Sequence, residues 1–212
     1  MGRSVRRAAW SAIVAMMVVV PRAGLTATAH SVVVSVDNQA HVTAEALEAA
    51  QGIATRIYEA AGIQLIWCDL GATSEPAAMH LSVLLSSRVG AERIVRGWRV
   101  KSSVLGLSPR DSRRVYIFPD RIRRLAASEA RRFETILGRT LAHEIGHQLL
   151  PEGHSASGIM RAKLDYLSAT APAFSDEEGR FMRTLLAAER QHVDQRNVLT
   201  RLGDDAPPIG PE

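Results

Sequence analysis

One cysteine in 212 residues, Cys68, excludes an internal disulfide, so the fold must be held by packing. Cys68 follows Trp67 at the end of an expected strand and reads as a small buried hydrophobe. Beyond the first 29 residues, no stretch is apolar enough to cross a bilayer, which takes ~20 residues. No internal repeat occurs. An excess of positive charge is missing too, once the N-terminus is set aside. Arg3, Arg6, Arg7 and Arg22 fall there with no acid, and the remainder carries 22 basic against 22 acidic residues. Nucleic-acid binding gains no support from that balance. The local basic clusters at 93–101 and 110–124 read as solvated helix and loop faces.

The N-terminus has the form of an export signal. Three arginines precede an apolar run of 13 residues from Ala8 to Val20, Pro21 breaks it, and Ala27-Thr28-Ala29 offers a cleavage site. The run is too short for a span. An exported chain beginning at His30, extracellular or periplasmic and monomeric, is expected. Its length suits a single domain over 30–202 and can bury about 70% of the unfolded surface. The tail at 203–212, rich in Pro, Gly and Asp, reads as disordered.

The hydrophobic pattern predicts an α+β fold. Strands are expected at Ser31–Val36, Ile63–Trp67, His80–Leu85 and Arg114–Phe118. Thr43 is placed to cap a helix to about Ala61, stopped by Gly62. Asp120 is placed to cap a short helix, and Ser128 a long one to about Leu150. A last helix starts at Asp176 and runs to Arg190 or beyond, with Phe181, Leu185 and Ala188 on one face. Residues 86–113 are the least legible; Val100 to Leu107 offers a short strand or a flap, broken by Gly106 and Pro109. His80 reads as structural.

The long helix carries His143-Glu144-Ile-Gly-His147, an H-E-x-x-H pattern. On a helix, residues i and i+4 share a face. His143 and His147 can therefore present two imidazole nitrogens to one metal at roughly 2.0–2.1 Å. Glu144 sits between them, placed as a general base toward a metal-bound water. Pro151 stops the helix and Gly153 offers a turn, so His154 can swing back as third ligand. Gly146 offers a close approach to the helix. Ser157-Gly158-Ile159-Met160 follows.

These residues resemble the metzincin clan of zinc endopeptidases, whose pattern is H-E-x-x-H-x-x-G-x-x-H followed by a Met-turn. The match departs in register. The family glycine falls at Leu150 and its third histidine at Gly153, so His154 comes one residue late. The chain is also similar to small exported bacterial proteins with an H-E-[IL]-G-H…G-H-S-x-S-G-[IL]-M-R block. The resemblance implies a zincin-like twisted mixed sheet of four or five strands, with an N-terminal helix, the metal helix and a C-terminal helix. It implies Zn²⁺ on His143, His147 and His154, with Glu144 as base and Met160 shaping the floor. It implies cleavage of a peptide or protein substrate that adds to the edge strand. Tyr166 stands where some metzincins place an oxyanion-assisting Tyr, though packing is the plainer role.

Three alternatives stay open. Glu177 or Glu178 can replace His154 as third ligand, although Ser175-Asp-Glu-Glu also reads as a capping box. The fold can serve as a zinc-binding module without proteolysis. An amidase acting on cell-wall peptides shares the mechanism but not the substrate.

Overall fold

The computed structural model describes residues 30–72, 77–101, 103–110, 112–128, 132–151, 153–163 and 172–204, with side chains to 196. The expected signal and cleavage site lie outside the described residues, as does Tyr166. Among the described residues the architecture is α+β, a five-stranded mixed sheet with five helices.

Strand β1 (Ser31–Asn38) lies between β2 (Gln64–Asp69) and β3 (Met79–Leu85), parallel to both. Covered on both faces, it reads as a continuous run of valines rather than an alternation; Val32, Val33, Val34 and Val36 are all buried. β3 alternates, with Met79, Leu81, Val83 and Leu85 inward and His80 exposed. β5 (Arg114–Ile117) extends the sheet in parallel. β4 (Gly106–Leu107) pairs antiparallel with β5 and forms the edge, giving the order β2-β1-β3-β5-β4.

Helix α1 (Ala44–Ala60) starts as expected, with Thr43 Oγ1 accepting from the Ala46 N–H at 3.3 Å. It buries Ala50, Ala54, Ile57 and Tyr58 against α4 (Phe133–Leu149), and the Tyr58 hydroxyl donates to Ala142 O at 3.0 Å. α4 is buried almost all round, from Ile136 to Gly146. A helix of that kind belongs inside a domain.

Several boundaries differ from the sequence reading. Helix α2 (Arg88–Trp98) was not expected. Ala91, Ile94, Val95 and Trp98 recur on it at helical spacing, a stripe that the sequence reading passed over, and only Ala91 and Val95 are buried. Ser87 caps it, accepting from Gly90 N–H at 3.3 Å. Ser128 closes α3 (Pro119–Ser128) by donating to Leu125 O, and α4 begins later with no side-chain cap at Arg132. α5 (Asp176–Asp204) turns Met182 and Leu186 inward and leaves Phe181 43% exposed, a face shifted by one residue. Gly203 and Asp204 close α5 rather than opening the tail. Cys68 is half-buried, not buried; its thiol donates weakly to Val34 O at 3.8 Å.

Among the described residues, no helix is long and apolar enough to cross a membrane.

Candidate metal centre

α4 presents His143 and His147 one turn apart, and their Nε2 atoms lie 3.1 Å from each other. The helix ends at Leu149 because Pro151 follows: Leu150 is pushed to extended backbone, φ −116° and ψ 143°. The chain then returns, and His154 joins the pair. One nitrogen from each ring lies within 4.8 Å of the other two. Ring centroids are separated by 4.7, 4.9 and 5.4 Å. Among the described residues no carboxylate joins the three imidazoles. Gly153 corrects one expectation. Its φ is not positive and a Cβ there would meet nothing, so the return needs no glycine.

The donor set suits a metal ion. Two nitrogens on a tetrahedral zinc at ~2.05 Å stand roughly 3.3 Å apart, close to the 3.1 Å between His143 and His147. His143 Nδ1–H donates to the Ile159 carbonyl at 2.7 Å. A carbonyl can only accept, so the proton sits on Nδ1 and the Nε2 lone pair is free. Burial holds the His143 pKa below the usual value, opposed in part by that bond. His147 is lowered to about 3, by burial first and then by His143, His154 and Arg110. Both rings are therefore neutral at pH 7, the form that ligates.

Glu144 is 7% exposed, and burial raises its pKa to about 8. The edge strand lies directly on it. A Cβ at Gly106 would fall 2.6 Å from Glu144 Cγ, so only glycine lets β4 pass this close. The same segment is clamped to α4 at two more points. Ser108 Oγ donates to Glu144 O at 2.6 Å, and Gln148 Nε2 donates to Pro109 O at 2.9 Å.

Behind the histidines, Met160 is buried at 1% exposure. A Cβ on Gly146 would stand 2.5 Å from Met160 Sδ, so the methionine fills the notch that this glycine leaves in α4. The turn carrying it is closed by Ser155 N–H donating to Met160 O at 2.9 Å, beside a Ser155–Arg161 bridge. Gly158 within it has φ 73°. The turn thus both seats Met160 and orients His143 through Ile159 O.

Glu178 is accounted for elsewhere. It accepts from Ser175 N–H at 2.7 Å while Ser175 Oγ accepts from Glu178 N–H at 3.2 Å, a capping box at the start of α5. It also accepts from Ser155 Oγ, next to His154. Glu177 is exposed in the same first turn.

A cleft of about 1300 Å³ opens over the three histidines and Glu144, bounded by 103–108 on one side and by Arg161, Ala162 and Lys163 on another. Lys101, Arg110, Arg121 and Arg124 line it too. The clusters read from sequence as solvated faces thus supply four cations to the site. Gly106, the Ile159 carbonyl and Ser155 were not recognised in the sequence as parts of the site. A glycine within a strand pattern signals close backbone approach, and Gly106 could have been found that way.

No family model and no curated protein matches the chain. A similar solved structure is the solution structure of TM1509 from Thermotoga maritima, at 15% identity and a TM-score of 0.35, covering 85% of this chain and 99% of that one. At that score the likeness does not define a shared fold.

Proposed function

We propose that this protein is an exported zinc-dependent endopeptidase of the metzincin type. The observation that carries the reading is a trio of imidazoles within 4.8 Å beside a buried carboxylate, under the edge strand of a mixed sheet. His143, His147 and His154 hold the ion. Bound there, zinc supplies Lewis acidity to a carbonyl oxygen and makes water more acidic. Glu144 takes the proton from the attacking water and delivers it to the leaving amine. Its burial keeps the carboxylate poorly solvated and basic, and an adjacent dication favours the charged form. Among the described residues β4 has a partner on one side only, so an extended peptide can add to the other by main-chain hydrogen bonds. Met160 packs beneath α4 and binds no metal.

Two results test this. Elemental analysis of the chain from His30 should give one zinc per protein, and Glu144→Ala should keep that zinc while losing about 10²–10⁴-fold in peptide hydrolysis. Absence of zinc after loading removes the reading. Full turnover in Glu144→Ala removes the base. Glu178 as third ligand is disfavoured because its two oxygens already serve Ser155 and Ser175.

A further inference from the structure

Six cationic side chains line the cleft: Lys101, Arg110, Arg121, Arg124, Arg161 and Lys163. The one carboxylate among its lining residues is Glu144, which is buried. Among the described residues the ion pairs are Arg88–Glu92, Arg113–Glu189, Arg123–Asp120 and Arg190–Asp194, and none involves the six. Asp111, Glu152 and Asp165 lie nearby in sequence, outside the described residues. Arg121 is fixed in place. It donates to Val104 O at 2.9 Å and lies 4.9 Å from the centroid of the Phe118 ring. Burial and then the nearby Arg124 disfavour the Arg121 charge while Glu92 favours it, and an added anion beside the two arginines would favour both charges. Lys101 precedes β4 and Arg110 follows it, so cations bracket the edge strand at both ends.

We propose that the cleft selects acidic peptides, with substrate Asp or Glu side chains against these cations on both sides of the bond to be cut. The proposal rests on the peptidase reading for its scissile bond but not for its binding preference. A peptide is favoured over a nucleic acid on two grounds. Among the described lining residues none is Phe, Tyr or Trp, so bases find none of the larger aromatic platforms for stacking. The strand at the cleft edge offers main-chain pairing, which a peptide uses and a nucleotide chain does not.

Binding separates this from catalysis. Zinc-loaded Glu144→Gln protein is titrated, by fluorescence anisotropy, into labelled peptides of one length bearing Glu, Gln or Lys, and into single-stranded RNA of matched charge. The Glu peptide should bind about tenfold tighter than the Gln peptide, with the gap closing as salt shortens the Debye length from ~10 Å toward ~3 Å. Arg110→Glu with Arg124→Glu should turn the preference toward the Lys peptide, and circular dichroism checks that this variant is folded. Equal binding of all three peptides overturns the proposal, and so does tighter binding of RNA. Selective binding of the Glu peptide without cleavage by the wild-type protein sustains it and overturns the peptidase reading instead.

Discussion

Gly106 of β4 lies so close to Glu144 of α4 that an added Cβ would stand 2.7 Å from the carboxylate Oε1. The side chain and the edge strand share one space, and only the strand's lack of a side chain makes room. Gly106→Ala should therefore displace the Glu144 carboxylate and leave the histidines in place. A misplacement of about 1 Å costs on the order of 10²-fold in rate. Turnover should fall by that much while zinc content stays at one. Unchanged kcat in Gly106→Ala would show that β4 does not position the base.

Glu178 joins the metal site to the last helix. Its carboxylate receives Ser155 Oγ and Ser175 N–H together, so the start of α5 holds the residue next to His154. Glu178→Ala removes both contacts. Zinc affinity should drop about 10–100-fold, as for other groups that support a ligand. The lost cap should lower stability by about 1 kcal/mol. Glu177→Ala, in the same exposed turn, should change neither quantity. Competition with a zinc chelator measures the first effect and thermal unfolding the second. If Glu177→Ala strips the zinc, a carboxylate is a ligand after all.

Gly146 sets two effects against each other. Alanine there improves helix propensity by ~1 kcal/mol. The new methyl group also meets Met160 Sδ at 2.5 Å in a buried site shared with Phe174, and overpacking costs ~1–3 kcal/mol. The second effect should win, and Gly146→Ala should be destabilised by about 1 kcal/mol. Combining it with Met160→Ala relieves the clash, so the two changes should not be additive. Strict additivity in chemical denaturation would place Met160 elsewhere.

Regular elements with dense apolar patterns were legible in the sequence: β1, α1, β3, β5 and the trio His143, His147 and His154. Pro151 announced the end of α4, and Ser175 with Glu178 announced the capping box. What escaped depends on packing between distant segments. α2 carries Ala91, Ile94, Val95 and Trp98 at helical spacing, but the stretch is short, holds two glycines and buries only Ala91 and Val95. Ser128 could cap the helix after it or close the one before it, and local chemistry permits both. Gly106 within a strand pattern signals a close approach, but its partner Glu144 lies 38 positions away and no local pattern names it. The arginines of 110–124 look alike in sequence, yet Arg121 and Arg124 reach the cleft while Arg123 pairs with Asp120.

The metal-free protein should lose stability as pH rises above 6.5. Glu144 is raised to about 8 by burial against an ordinary 4.5. Between those values the folded chain keeps a proton that the unfolded chain has released, so stability falls with rising pH and levels off above 8. His143 and His147 act in the opposite direction. Both are held below 6.5, His147 down to about 3, so the unfolded chain gains their protons first and stability falls on acidification below 6.5. The two effects oppose each other from 4.5 to 6.5. From 6.5 to 8 the Glu144 contribution stands alone, with a slope of up to about 1.4 kcal/mol per pH unit. Chelator-treated protein should therefore show a falling Tm across that interval, and Glu144→Gln, which has no proton to release, should show a flat one. Equal slopes in the two proteins would mean that the Glu144 carboxyl is solvated, and that β4 does not cover it.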